Sequence, residues 1–451
     1  MLLNFMVNLI KTTGEKMKRV PIDELGKYID KDVDVSGWVN SVRDQKTMQF
    51  VILRDRTGMI QVANEKNGGM LENTISSLVP ESTVSARGHV VRDPRVRLNQ
   101  LELKLYDLHV TSESQRPLAI DEKSSLENRL DWRYLDLRQP KKQLIFRIQT
   151  TVEDAMRDYW LKNGFIEIHS PKLVEGATES GSELFQLEYY FGKKASLAQS
   201  PQFYKQMAMA AGFERVFEIG PVFRANPSYT TRHDTEFTSV DTEMSWIDSH
   251  EDVMEFEERW LQHAIAAAEE KHGHDIKKNF GAELKVPKVP FPRVSMEEAY
   301  KILEKMGYNV PRDKKGDLDP EGERKLFKYI NDQFGHEFVF VTDYPASSRA
   351  FYHMRYDDRP QITKSFDLIW KGVEVTTGAQ REHRYDRLFQ QAQEKGVDTD
   401  SISHYLNFFK FGCPPHGGYG FGLSRMLMMM LDMPNVREVT LLYRGPNRLT
   451  P

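Results

Sequence analysis

The sequence predicts an α+β protein: a small closed β-barrel near the N-terminus, then a larger domain built on an antiparallel sheet flanked by helices. Three observations carry this. Between Val33 and Val110 short β-rich runs alternate with turns. A long stretch around 143–163 repeats its apolar residues at helical spacing. Beyond it, several strand-like runs follow one another without a helix between each pair, the pattern of an antiparallel sheet and not of a doubly wound fold.

The barrel comes first. Val33-Asp34-Val35-Ser36-Gly37-Trp38-Val39 alternates, and the run 49–55 follows. The turn Arg56-Thr57-Gly58 leads into Met59-Ile60-Gln61-Val62. Runs at 82–91 and 101–105 complete about five strands, with a helical stretch near 71–78. That set suits a barrel of the OB type. Such barrels bind single-stranded nucleic acid through aromatic and basic side chains on one face, and Phe50, Arg43 and Gln61 are the candidates. Spacing alone leaves Phe50 equally open to a core role.

The domain boundaries expected are an N-terminal extension over 1–17, the barrel over 18–112, a polar linker over 113–140 and the larger domain over 141–451. In the long helix Ile145, Ile148, Val152, Ala155, Met156 and Trp160 recur at three- and four-residue steps, and Gly164 ends it. Phe165-Ile166-Glu167-Ile168-His169 then reads as a strand stopped by Pro171. Further strands are expected at 216–219, 237–244, 338–341 and 365–369, and helices at 249–271 and 295–306. The charged stretch 312–323 reads as a solvated loop without chemistry.

Composition narrows the function classes. A chain of 451 residues with 39% hydrophobic and 11% aromatic residues holds more than one domain and a sizeable core. Its net charge of -4 means that a nucleic-acid partner would need a local basic surface. Cys413, the single cysteine, excludes an internal disulfide framework and cysteine-rich zinc sites, which fits a reducing cytoplasm. The apolar segment 1–10 is too short to span a bilayer and lacks a signal peptide's basic leader and cleavage site, so no membrane association is expected. Met17, opening a better-patterned segment, is a candidate start.

Two segments carry the chemistry. His416-Gly417-Gly418-Tyr419-Gly420-Phe421-Gly422-Leu423-Ser424-Arg425 sets a cation behind closely spaced glycines, ahead of the buried-helix run Met426-Leu427-Met428-Met429-Met430-Leu431. Upstream, Arg224 and Arg232 flank the turn residues Asn226, Pro227 and Ser228, so the two guanidiniums and His233 share one hairpin suited to a polyphosphate. Phe237 offers a ring, and a purine fits between it and Arg425. Asp367 and Glu374, seven positions apart across a turn, form with Thr377 a hard oxygen site suited to Mg²⁺.

These residues resemble the class II aminoacyl-tRNA synthetases. Phe223-Arg224 with Arg232-His233 and Glu236-Phe237 is similar to motif 2, Gly420-Phe421-Gly422-Leu423-Ser424-Arg425 to motif 3, and the helix-strand ending at Pro171 to the dimer-forming motif 1. The barrel places the resemblance in the aspartate, asparagine and lysine subgroup. Gln199-Ser200-Pro201-Gln202-Phe203-Tyr204-Lys205-Gln206 and Glu374-Val375-Thr376-Thr377-Gly378-Ala379-Gln380-Arg381 look like aspartyl segments whose lysine and arginine meet the substrate β-carboxylate. The chain's shortness resembles the archaeal and eukaryotic type.

What the resemblance implies is an ATP-dependent aspartate–tRNA ligase, cytoplasmic and homodimeric, with ATP as substrate and Mg²⁺ as cofactor. Its partners would be L-aspartate and tRNA(Asp), with tRNA(Asn) left open. Aspartate would be held by Glu179, Ser200, Gln202, Lys205, Arg224, Asp241, Thr377 and Arg381, Glu179 matching the position of the family's loop that closes over the substrate ammonium. ATP would be held by Arg224, Asn226, Arg232, His233, Asp234, Phe237, Glu374, Gly422 and Arg425, with Arg224 and Arg425 catalytic. Asp367, Glu374 and Thr377 would hold the metal, and Arg43, Phe50 and Gln61 the anticodon. Two positions depart from the pattern: Asn226 stands where a glutamate contacts adenine, and Ser424 where an acidic residue precedes the arginine. An asparaginyl-tRNA synthetase and a catalytically silent RNA-binding paralogue are the alternatives.

Overall fold

The computed structural model describes residues 19–121, 123–176, 183–311 and 316–451. The segment 1–17, read as an extension, lies outside them, as does Glu179. The chain divides into two compact units, 1–140 and 141–451.

The first unit is the barrel. Strands β1 (Asp32–Asp44), β2 (Met48–Arg54), β3 (Met59–Glu65), β4 (Thr83–Arg92) and β5 (Leu101–Ser112) close in the order β1-β2-β3-β5-β4, with α1 (Met70–Ser77) between β3 and β4. Strand alternation puts Val33, Val35, Val51, Leu53, Ile60, Val62, Val84 and Leu103 inside. Gly37 and Gly88 sit where strands cross so closely that a Cβ would collide with the carbonyls of Arg54 and Lys104.

In the second unit an eight-stranded sheet runs β12-β13-β14-β15-β16-β11-β10-β6. Its members are β6 (Ile166–Glu167), β10 (Arg215–Phe223), β11 (Glu236–Ser245), β12 (Arg293–Ser295), β13 (Phe338–Thr342), β14 (Ser365–Trp370), β15 (Val373–Gln380) and β16 (His416–Gly422). The centre is antiparallel as expected, but both edge strands pair in parallel, β6 with β10 and β12 with β13. A small sheet of β7 (Leu173–Val174), β8 (Gln186–Glu188) and β9 (Lys194–Leu197) stands apart.

Helices α2 (Pro140–Lys162) and α4 (His250–Phe280) pack their apolar stripes on the sheet, where Trp160 lies 5.5 Å from Trp260 and Trp260 5.3 Å from Phe421. A Ser249–Asp252 capping box starts α4, and Gly281, at φ 75°, ends it nine residues later than the sequence suggests. α5 (Met296–Lys305) opens on a second capping box, Ser295 with Glu298. The methionine run forms α8 (Leu423–Met430), with Met426–Met430 buried. Between these lie α3 (Gln202–Ala210), α6 (Pro320–Phe334) and α7 (Tyr385–Glu394).

One expectation fails here. The stretch read as a solvated loop instead contains the start of α6, capped by Asp319, and buries Glu323. No described helix is long and apolar enough to cross a membrane.

Candidate active site

Strands β10 and β11 pair in register from Arg215–Met244 to Phe223–Glu236, so Arg224 and Arg232 stand at the mouth of the hairpin they were expected to share. β11 also pairs with β16, which brings Asp241 opposite Gly420. β16 pairs with β15, which brings Thr377 opposite Gly420 on the other side. Segments that lie far apart in sequence therefore meet over one sheet face. Above it opens a cavity of about 870 Å³ whose wall includes Arg224, Asn226, Arg232, His233, Asp234, Phe237, Gly422 and Arg425 at one end. Ser200, Gln202, Asp241, Thr377 and Arg381 line it too.

At the glycine-rich end the Arg224 guanidinium lies 5.4 Å from the centre of the Phe237 ring. Arg425 is fixed by its own donors: Nη1 reaches the Glu374 carbonyl at 2.7 Å and Nε the Arg232 carbonyl at 3.3 Å. Arg232 donates to Glu323 Oε2 at 2.6 Å. Burial pushes the Glu323 carboxyl up to about 7, with Arg232 opposing and Glu374 reinforcing. His233 is pushed down to about 4, first by burial and then by Arg425 and Arg232, so it is neutral at pH 7. Asp234 is pushed up to about 6 by burial, partly offset by the Ser424 hydroxyl and Arg425. The serine at motif 3 thus faces a carboxylate contributed by the hairpin.

The metal candidates converge less simply. The Asp367 carboxylate accepts from Arg349 Nη2 at Oδ2, 2.6 Å away, and Oδ1 is buried with no hydrogen-bond partner. Burial raises its pKa to about 6; Arg349 opposes this and Glu374 adds to it. Burial also acts on Glu374, but Arg425, Arg349, Arg224 and Arg232 outweigh it and hold that carboxyl below its usual range. Thr377 Oγ1 donates to Glu374 Oε1 at 3.3 Å. Among the described residues no three His, Cys, Asp or Glu side chains form a ready-made metal cluster.

At the far end Lys205, from α3, does not line the cavity. Its ammonium donates to Asp241 Oδ1 at 2.9 Å, the Tyr419 carbonyl at 2.8 Å and the Thr242 carbonyl at 3.4 Å, with Glu243 Oε2 at 3.5 Å. Arg381 Nε donates to Glu243 Oε1 at 3.0 Å, and Nη2 to the Gly418 carbonyl at 2.8 Å. Two buried cations thus sit with two buried carboxylates, so Lys205 stands behind Asp241 instead of facing the cavity as expected.

Glu243, Arg349, Tyr352, His353, Lys395 and Glu323 were not singled out from sequence. Glu243 had a usable signal, since it follows Asp241 by two positions on a strand and shares its face. Arg349 and His353 come from an irregular segment, and nothing local marks them. On the barrel, Phe50 is outside the core cluster. Arg43 lies 5.3 Å from its ring centre and donates to Gln61 Oε1 at 2.8 Å, while Gln61 donates to Glu102, so the three candidates share one outer face.

Comparison with known proteins agrees with this geometry. Residues 125–444 match the family described as tRNA synthetases class II (D, K and N), and residues 33–111 the OB-fold nucleic acid binding domain. The chain is 43% identical over 429 residues to aspartate–tRNA(Asp) ligase of Pyrococcus abyssi, covering 93% of this chain and 96% of that one. It is 44% identical over 428 residues to aspartate–tRNA(Asp/Asn) ligase of Aeropyrum pernix, covering 93% and 95%. Among solved structures, asparaginyl-tRNA synthetase from Pyrococcus horikoshii with asparaginyl-adenylate superposes with a TM-score of 0.89 at 32% identity, over 96% of this chain and all of that one. Aspartyl tRNA synthetase from Entamoeba histolytica gives 0.85 at 30% identity, over 98% and 94%. With its barrel, its antiparallel sheet and its two arginine segments on one cavity, the chain belongs to the class II tRNA synthetases of the aspartate, lysine and asparagine group.

Proposed function

We propose that this protein is an aspartate–tRNA ligase, which activates L-aspartate with ATP and transfers it to the 3′ end of tRNA(Asp). The observation that carries the reading is the pairing of two half-sites at one cavity, the second reaching it through Asp241 and Arg381 with Lys205 and Glu243 buried behind them. One is an arginine-lined, ring-bearing wall for a nucleotide; the other is a buried Lys205–Asp241–Glu243–Arg381 cluster for a small charged amino acid.

The aspartate α-carboxylate attacks the α-phosphorus of ATP, a P–O bond to pyrophosphate breaks, and aspartyl-adenylate forms. The tRNA 3′-terminal hydroxyl then takes the aspartyl group and AMP leaves. No side chain need form a covalent intermediate, so catalysis is orientation and charge stabilisation. Arg224 holds the reacting carboxylate against the α-phosphate and Phe237 supports the base. Arg425, fixed through two backbone carbonyls, faces the base from the other side, and Arg232 with neutral His233 receives the outer phosphates. Asp241 takes the substrate ammonium and Arg381 the β-carboxylate. Asp367, Glu374 and Thr377 would hold Mg²⁺, and the unpartnered Asp367 Oδ1 and the mutually opposed carboxylates fit a cation. Such an ion supplies neutralisation of phosphate charge.

Phe50, with Arg43 and Gln61, reads the anticodon on the barrel. A second copy of the chain covers Leu161, Ile166, Phe213 and Trp246, large apolar side chains that are exposed around edge strand β6. The dimer is expected at about twice 52.4 kDa by light scattering.

The likeness to asparaginyl enzymes makes asparagine the second reading. ATP–pyrophosphate exchange separates them: exchange with aspartate alone supports the proposal, exchange with asparagine alone overturns it, and exchange with neither points to a silent paralogue. Arg224→Ala is expected to abolish aspartate-dependent exchange. Charging assays on purified tRNA(Asp) and tRNA(Asn) decide the breadth of tRNA choice, since relatives of both kinds exist.

A further inference from the structure

Behind the amino-acid end, three buried polar side chains that the mechanism does not use form one hydrogen-bonded chain. Tyr405, on the short helix Ser403–Leu406, donates its hydroxyl to Gln206 Oε1 at 2.8 Å. Gln206 Nε2 lies 3.2 Å from His416 Nε2, and His416 Nδ1 lies 2.8 Å from the Pro414 carbonyl. All three side chains are fully enclosed, and none of them is in the cavity wall. One proton arrangement satisfies every link. A carbonyl only accepts, so His416 carries its proton on Nδ1 and leaves Nε2 as an acceptor. Gln206 must then turn its N–H donors to the ring and its oxygen to Tyr405. Burial pushes the imidazole down to about 4, against Glu243 and the Pro414 carbonyl, so the ring is neutral at pH 7, as this arrangement requires.

The place of this chain in the fold gives it a use. Gln206 directly follows Lys205 on α3, and His416 opens β16, the strand whose carbonyls receive both cations of the pocket. The His416 carbonyl accepts the Arg381 amide at 2.8 Å, the Gly418 carbonyl accepts Arg381 Nη2 at 2.8 Å, and the Tyr419 carbonyl accepts the Lys205 ammonium at 2.8 Å. Gln206 and His416 stand 210 positions apart in sequence, and their bond ties the helix that carries Lys205 to that strand. Apolar packing is non-directional and tolerates sliding, whereas a hydrogen bond weakens steeply when its length or angle changes.

We propose that Gln206 and His416 are positioning residues that hold Lys205 in register with Arg381, while Tyr405 fixes which way the Gln206 amide points; the assignment rests on the aspartate reading above. Neither residue touches substrate. Both act through the buried foursome, because a shift of α3 along β16 moves the Lys205 ammonium relative to Asp241 and Glu243 and alters the pocket that receives the aspartate side chain. Charge-assisted hydrogen bonds to a carboxylate are stronger than neutral ones to an amide, so misplacement costs aspartate more than asparagine. The tie therefore favours aspartate.

Gln206→Met keeps the side-chain volume and removes both hydrogen bonds. It is expected to raise the KM for aspartate in ATP–pyrophosphate exchange about five- to twentyfold, the scale of one to two hydrogen bonds. The KM for ATP should stay within about twofold, because the ATP end shares no residue with the chain. The preference for aspartate over asparagine should fall. A merely structural role would leave both KM values alone or raise them together. Tyr405→Phe, which loses only the O–H, should raise the aspartate KM about two- to fivefold, and it decides the matter if Gln206→Met folds poorly. Nitrogen NMR of isotopically labelled histidine, with the His416 signals identified by their loss in His416→Asn, should show the proton on Nδ1 and a bare Nε2. An unchanged aspartate KM in these variants, equal rises for ATP and aspartate, or a proton on Nε2 would overturn the proposal. The unaltered protein is the control. If it shows no aspartate-dependent exchange, the functional reading fails and this inference with it; if it does, an unchanged KM in the variants sinks this inference alone.

Discussion

Glu243 has a side chain with no solvent exposure, and it touches both cations of the amino-acid pocket. Removing its charge leaves Lys205 and Arg381 with one carboxylate between them. Glu243→Gln should therefore cost about 3–5 kcal/mol of stability, measurable by urea unfolding, as well as weakening aspartate binding. Glu257 behaves in the opposite sense. It is buried behind the sheet, with Oε1 accepting from Thr376 at 2.5 Å, and burial raises its pKa from 4.5 to about 8. The folded state holds this proton more tightly than the unfolded chain does. Its contribution to stability is complete below about pH 4.5 and is lost as the pH rises through about 8. Unfolding free energies of Glu257→Gln should thus fall less between those limits than those of the unaltered protein.

The hairpin of β10 and β11 depends on a helix far away in sequence, because Glu323 of α6 holds Arg232. Glu323→Ala should release that guanidinium and raise the KM for ATP about five- to tenfold, while leaving the KM for aspartate nearly unchanged; steady-state exchange kinetics would show it. Local periodicity was enough to find α2, α4, α5, α8 and the barrel strands, since their apolar stripes repeat within one element. It missed α6 because the residues before Pro320 are charged, and Glu323 looks like surface until Arg232 is placed against it. Lys205, Arg381, Arg224 and Arg425 could be read from their motifs. Which carboxylate each would pair with could not, because register sets the pairings: Asp241 lies opposite Gly420 only once β11 and β16 pair. Gly418 shows how tight that pairing is, as a Cβ there would collide with the Thr242 carbonyl and the Glu243 carboxylate. Gly418→Ala should accordingly leave little soluble protein.

Each unit of the molecule has its own apolar core, the barrel's around Val35, Leu53 and Leu103 and the larger unit's around Trp160, Trp260 and Trp370. Every residue that lines the cavity belongs to the larger one, so the proposed activation step should depend on that unit alone. Phe50→Ala should raise the KM for tRNA roughly tenfold, as expected for one lost stacking contact, and leave pyrophosphate exchange untouched. A matched fall in both activities would mean that Phe50 supports the barrel's fold and not RNA binding.

The neutral foursome of Lys205, Asp241, Glu243 and Arg381 also bears on how such a pocket can change over generations. Any single charge-altering step strands a buried ion, so intermediates are disfavoured before a new amino acid can be accepted. A lineage leaving aspartate must change two positions nearly together, or first loosen the corner through a residue outside the foursome. The pocket's history is then recorded in paired substitutions, and laboratory libraries that vary these positions one at a time should return almost nothing.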